Sequence, residues 1–296
     1  MQAFEEFKHM SDDFWAIIKY VSGTLGYTVK ERRNGKKTKE EKEQAKEKAM
    51  VRSYSIDEIN ALLKKNNIVV DDNTIKQVKL YCDMRADLLN NVVRSNLMKA
   101  EEAKAEFEKI YSSYHKGEFQ CKLPMNKQRG DKRQIAFFTA IINIITEKTI
   151  RDSSVYTGVL GFDDDPRGLV YVIDDKQHIV GASSRRFDGA YPCVINPRIV
   201  WEIKEYYYAT TFGSRVADGV YETQLDGHEF RGISQFWEKP IYHVFFLDAY
   251  KTWWVDGKSY LCRIIDILNS GLVDEVIVGR EVFTRWPQVL QPILDE

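Results

Sequence analysis

The chain predicts a mixed α/β (α+β) fold, helical at first and then built on a sheet flanked by helices. Three observations predict it. Apolar residues recur at helical spacing up to about residue 115. An apolar, helix-length run then starts at Ile135. From there the pattern reads helix, three strands, helix, strand, helix, strand, with β-branched and aromatic residues filling the short runs.

The first element spans Asp12 to Tyr27, an amphipathic helix with Phe14, Ile17, Ile18 and Val21 on one side. Residues 30–50 alternate Lys and Glu without an apolar stripe, as in a charged linker or a solvated helix. Ser55 followed by Glu58 is a capping-box start for a short helix to Lys65, which Asn66-Asn67 ends. From Asp72 to about Tyr114, Ile75, Val78, Leu80, Leu88, Leu89, Val92, Leu97 and Phe107 keep helical spacing. Residues 1–116 are therefore expected to form a mainly helical N-terminal module.

A second domain is expected over 117–296. It opens on a polar loop with Lys127, Arg129, Lys132 and Arg133, candidates for phosphate contacts to a nucleic acid. Ile135 to Ile150 reads as a buried helix with Glu147 near its end. Strands are expected at 168–174, at 178–187 leading into Asp188, and at 198–208. A helix from Phe212 to about Leu225 carries Arg215, a further phosphate-contact candidate, with Asp218 or Glu222 as supporting acids. A strand at 243–248, a helix at 259–269 and a strand at 273–279 complete the pattern. Trp253-Trp254 reads either as packing aromatics or as a stacking platform for bases.

Composition narrows the function classes. At 44% hydrophobic residues the chain can bury a substantial core. No apolar run approaches the roughly 18 residues of a membrane span, and Met1-Gln2-Ala3-Phe4-Glu5-Glu6 lacks the basic start of a signal peptide, so a cytoplasmic protein is expected. The four cysteines and five histidines are scattered without metal-ligand spacing, so a bound metal must be held by oxygen. The net charge of −1 is unevenly divided: residues 1–150 hold 28 Lys+Arg against 22 Asp+Glu, and residues 151–296 hold 15 against 22. A basic half suits phosphate tracking and an acidic half suits metal ligation.

The chemistry concentrates in Arg186-Phe187-Asp188-Gly189 and Val200-Trp201-Glu202-Ile203-Lys204-Glu205. Residues two apart on a strand share a face, so Glu202 and Lys204 project together. Two carboxylates can hold a hard divalent cation, and an adjacent ammonium can orient water or stabilise charge on a phosphate. Asp188, Glu202 and Lys204 are thus the candidate catalytic residues, with Asp188 and Glu202 as metal ligands.

Asp188, Glu202-Ile203-Lys204 and the order of elements over about residues 135–280 resemble the PD-(D/E)XK, or restriction-endonuclease-like, nuclease superfamily. Phe187 stands where that family often has proline, and no QxxxY motif comes after the lysine. The resemblance implies a restriction-endonuclease-like core, with Mg²⁺ on Asp188 and Glu202 and with Lys204 assisting the attacking water. It also implies a further acid from the first core helix, for which Glu147 is the best match. The expected function is a Mg²⁺-dependent endonuclease hydrolysing DNA, in a restriction or anti-phage setting, with DNA as partner and a homodimer as assembly. A ribonuclease, and a non-catalytic binding or assembly subunit of the same fold, are the alternatives.

Overall fold

The computed structural model describes residues 1–296 apart from 30–37, 115–117, 127–133, 209–212, 238 and 296. Lys127, Arg129, Lys132 and Arg133 lie outside the described residues.

The N-terminal part is helical, as expected. Helix α1 (Asp12–Leu25) starts at Ser11, whose side chain accepts the Phe14 N–H. Helix α2 (Lys39–Lys48) buries none of its residues, in keeping with its lack of an apolar stripe. Helix α3 (Ile56–Lys65) opens on the expected capping box: Glu58 N–H donates to Ser55 Oγ (3.1 Å) and Ser55 N–H to Glu58 Oε2 (2.9 Å). Helix α4 (Asp72–Asp87) runs through a π-helical turn at Leu88–Val93 into the short α5 (Arg94–Asn96). Phe7, Phe14, Trp15 and Tyr81 pack with Ile18, Val21, Ile59 and Val78 as the core of this part.

Helix α6 (Ala100–Ser113) belongs to the C-terminal domain. Its Ala103 and Phe107 enter the core formed around helix α7 (Phe137–Arg151), and the Phe107 ring lies 5.6 Å from that of Phe137. Helix α6 thus packs with the elements after residue 116, and Ala86, Leu89, Val93 and Leu97 before it also enter the core behind the sheet.

That domain holds a mixed four-stranded sheet in the order β3 (Gly189–Tyr191), β4 (Ile199–Glu205), β5 (Tyr242–Asp248), β6 (Glu275–Val278). Strands β3 and β4 are antiparallel, whereas β4, β5 and β6 run parallel. Parallel neighbours need crossovers, and helices α8 (Ser214–Ser234) and α9 (Lys258–Asn269) supply them. Alternation sorts the side chains by face. Ile199, Trp201 and Ile203 of β4, with Val244 and Phe246 of β5, pack toward α7 and helix α10 (Val282–Asp295). Phe245 and Leu247 pack the other way, with Val216 and Val220 of α8 and Leu261 and Ile265 of α9. Trp253 and Trp254 are fully buried in this second layer, so they are packing aromatics.

Three expectations need correction. The strand expected at 178–187 ends early: β1 (Tyr171–Ile173) and β2 (Ile179–Ala182) form a separate two-stranded hairpin, and Asp188 instead leads into β3. The helix expected to run through Leu225 and end near Gly227 continues to Ser234; Gly227 does not stop it but sits inside it against the Leu272 backbone. Helix α10 was not anticipated, and Pro287 and Pro292 lie inside it.

A buried ionic contact joins the two parts. Arg85 Nη1 of α4 donates to both carboxylate oxygens of Asp266 on α9, at 2.8 and 3.0 Å. Its Nη2 donates to Ser22 Oγ (2.8 Å), and the Tyr81 hydroxyl completes the shell on Asp266 (2.6 Å).

Candidate metal-dependent hydrolytic site

Strand β4 is buried along its whole length, yet its α8-facing side presents two charges, Glu202 and Lys204. Buried charges are costly unless partnered, and both are. Lys204 Nζ lies 2.5 Å from Glu202 Oε1 and 2.9 Å from Glu222 Oε2, which α8 supplies. Gly219 lets α8 approach: a Cβ there would come 3.3 Å from Lys204 Cε. Burial alone would lower the Lys204 pKa, but the Glu202 carboxylate beside it overrides that and raises it, so the side chain is a firm cation.

Asp188 is held where β3 begins. Gly189 pairs with Trp201, so one step back along the antiparallel ladder Asp188 faces Glu202. Its backbone N–H donates to Trp201 O (3.1 Å), and its Oδ2 accepts the Ile203 N–H at 2.7 Å. The side chain thereby satisfies a β4 amide just past the end of the short β3. Burial, and then the Glu202 charge, push the Asp188 pKa up to about 7.

The opposite oxygen of Glu202 behaves differently. Oε2 is buried and accepts no hydrogen bond, although Arg185 Nη1 stands 3.1 Å away. Arg185 is itself gripped by Asp226 of α8, from Nε to Oδ1 (3.0 Å) and from Nη2 to Oδ2 (2.8 Å). Asp226 is fully buried, and burial raises its pKa to about 6 even beside the guanidinium.

Asp188, Glu202 and Lys204 are therefore brought together, and Glu222 joins them as expected. Glu147 does not. It sits on α7, which covers the other face of the sheet, and its carboxylate accepts the Gln120 and Cys121 N–H groups (3.0 and 2.8 Å) and pairs with Arg151 at 2.6 Å. The resemblance made it a candidate, but on α7 it is aimed at the 120–121 backbone. Arg215 is exposed in the first turn of α8, where its carbonyl accepts the Tyr206 hydroxyl (3.3 Å), and Asp218 is exposed one turn on.

Arg185 and Asp226 escape reasoning from sequence alone. The signal for Asp226 is its spacing of four from Glu222, which puts both acids on one helix face. Arg185 has no local signal, since only the turn after β2 brings it back over β4.

A divalent cation can be tested against these donors. Two carboxylates face each other across the ladder, and one of them retains a buried oxygen without a hydrogen bond. Among the described residues no three His, Cys, Asp or Glu side chains converge as a ready metal cluster. Hard cations accept water and substrate oxygens beside one or two carboxylates, so the pair fits Mg²⁺ better than zinc.

The chain belongs to the family described as Domain of unknown function (DUF7687), which matches residues 98–293. Residues 1–92 match a second family, described as Domain of unknown function (DUF7690). The two spans meet close to the boundary at which α6 joins the sheet domain. No curated protein and no solved structure matches the chain. Among the described residues no helix is long and apolar enough to cross a membrane.

Proposed function

We propose that this member of the DUF7687 family is a Mg²⁺-dependent nuclease that hydrolyses the DNA backbone. The observation that carries the reading is the contrast between the two oxygens of Glu202. One is bound by Lys204 Nζ at 2.5 Å, while the other is buried, without a hydrogen bond, and on the residue opposite Asp188. The sheet supports the finer fold assignment as well. A helix precedes it, β3 runs antiparallel to β4, and β5 returns parallel to β4 through α8, which matches the later part of the restriction-endonuclease-like order, while β1 pairs with β2 outside this sheet.

In this reading Asp188 and Glu202 hold Mg²⁺, which when bound supplies positive charge against the phosphate oxygens and lowers the pKa of a bound water. Lys204, kept cationic by Glu202 and Glu222, orients the attacking water and stabilises negative charge growing on phosphorus. Glu222 holds the ammonium from the solvent side, so its direction is fixed by two carboxylates rather than one. The Ile203 N–H fixes Asp188. The protein thus contributes orientation and electrostatics on a rigid strand.

One observation favours a non-catalytic scaffold: Glu202 is already flanked by two cations, Arg185 and Lys204, as in a self-contained ion cluster. The test is incubation of the purified protein with supercoiled plasmid and with single-stranded RNA, in Mg²⁺ and in EDTA. Mg²⁺-dependent nicking of the plasmid is expected. An inert protein on both substrates supports the scaffold, and cleavage of RNA alone reassigns the substrate.

A further inference from the structure

Arg185 is a cation at this site whose role is not exhausted by structure. Three features define it. The guanidinium is anchored on one edge by Asp226 through three hydrogen bonds, from Nε to both carboxylate oxygens (3.0 and 3.1 Å) and from Nη2 to Oδ2 (2.8 Å). Its remaining nitrogen, Nη1, lies 3.1 Å from Glu202 Oε2 and 4.0 Å from Glu222 Oε2, and donates to the Arg186 carbonyl at 3.3 Å. Glu202 Oε2 is left without any hydrogen bond. A guanidinium built to stabilise Glu202 structurally would use its planar fork for two parallel bonds. Here that fork is spent on Asp226, and only Nη1 approaches Glu202.

The surroundings allow Nη1 to leave Glu202 without unfolding the site. Arg185 lies in the turn between β2 and β3 rather than inside a strand, and its side chain retains 21% exposure. Its guanidinium also rests over the Phe187 ring at 5.2 Å, an apolar support that does not depend on Glu202. With Asp226 and Phe187 as fixed points, a small rotation would exchange Glu202 for an anion arriving from solvent.

We propose that Arg185 is the resident counter-cation of Glu202, displaced from it when a divalent cation binds and then turned toward the substrate phosphate. It is a positioning residue that becomes a phosphate contact. This rests on the nuclease reading of Asp188, Glu202 and Lys204. The distinctive consequence is opposition between two readouts. Removing the Arg185 charge frees Glu202 for the cation and so tightens metal binding, while it weakens grip on the phosphodiester and slows hydrolysis. A purely structural arginine would weaken both.

The experiment is calorimetric titration of Mn²⁺ and Mg²⁺ into wild type, Arg185→Gln and Arg185→Lys, followed by binding of an uncleaved DNA duplex in Ca²⁺. Because Arg185→Gln strands the buried Asp226, the double variant Arg185→Gln/Asp226→Asn is included to restore a neutral hydrogen-bonded pair. The expected result is Mn²⁺ affinity raised about tenfold in Arg185→Gln and in the double variant, which corresponds to about 1.4 kcal/mol. DNA affinity should fall in the same proteins, and Arg185→Lys should lie between. Metal affinity unchanged or reduced in both the single and the double variant, with thermal unfolding near wild type, overturns the counter-cation role. Absence of metal binding in the wild type itself overturns the nuclease reading and this inference with it. Metal binding that responds as expected while DNA affinity stays constant overturns the phosphate-contact half alone.

Discussion

Lys204 Nζ bridges Glu202 of its own strand and Glu222 of the crossover helix, at 2.5 and 2.9 Å, so the strand and α8 are locked together at the candidate site. The bridge keeps a buried ammonium charged and aimed, which is what a water-orienting lysine needs.

Substituting that lysine separates chemistry from folding. Lys204→Met keeps the aliphatic stem that packs on Gly219 and leaves Glu202 with Arg185. Nicking of plasmid in Mg²⁺ is expected to fall by about 100-fold or more, while the thermal unfolding midpoint stays close to that of wild type. Wild-type turnover in this variant removes Lys204 from the mechanism.

The seat of Asp188 is sensitive to one added carbon. A Cβ on Gly189 would sit 2.0 Å from Cε2 of the Trp201 indole, and Trp201 is fully buried against Trp286 and Phe162. Gly189→Ala is therefore expected to destabilise the fold by about 1–3 kcal/mol through overpacking and to displace Asp188 beside it. Urea denaturation reads the first effect, and loss of cleavage in folded protein reads the second. A variant as stable and active as wild type would mean that the β3–β4 contact is looser than described.

Much of this arrangement is legible in the sequence. The capping box at Ser55 and Glu58, the buried α7, and the strand carrying Glu202 and Lys204 come from patterns that local physics enforces. The features that sequence patterns miss depend on tertiary context. The prolines at 287 and 292 break the usual helix rule, yet Val282, Trp286, Val289, Leu290 and Leu294 still form a buried stripe on α10. Glu147 has the right residue type on the right helix, but α7 lies on the far side of the sheet, and only the parity of β4 reveals that. Arg185 reaches the site through a turn that no periodicity predicts.

The junction between the two parts rests on a buried pair. Arg85 is inaccessible to solvent, and Asp266 accepts from it and from Tyr81. Arg85→Ala leaves Asp266 without its cation and is expected to cost about 3–5 kcal/mol, measured by chemical denaturation. The double variant Arg85→Met/Asp266→Leu should recover most of that loss, since it removes both charges and refills the volume. If the double variant is as unstable as the single one, packing rather than charge holds the junction.

Acid sensitivity should trace in part to His243. The ring is buried between Phe187 and Phe230, and burial lowers its pKa to about 4, below the usual 6.5. The folded state then binds fewer protons than the unfolded chain between those values. The stability this group contributes is complete above about pH 6.5 and is lost as pH falls toward 4. At about pH 5 its loss is on the order of 2 kcal/mol. His243→Leu should lose less stability than wild type between about pH 7.5 and 5. Parallel pH profiles for the two proteins would contradict the assignment.

The most direct test of the central claim is cleavage of supercoiled plasmid by wild type and Glu202→Gln, side by side in Mg²⁺. The glutamine keeps the shape of the side chain and a partner for Lys204 while removing the charge that would hold the cation. Wild type is predicted to nick the plasmid in a Mg²⁺-dependent reaction that EDTA abolishes and that folded Glu202→Gln does not perform. Equal nicking by both proteins, or none by wild type on DNA, would contradict the assignment.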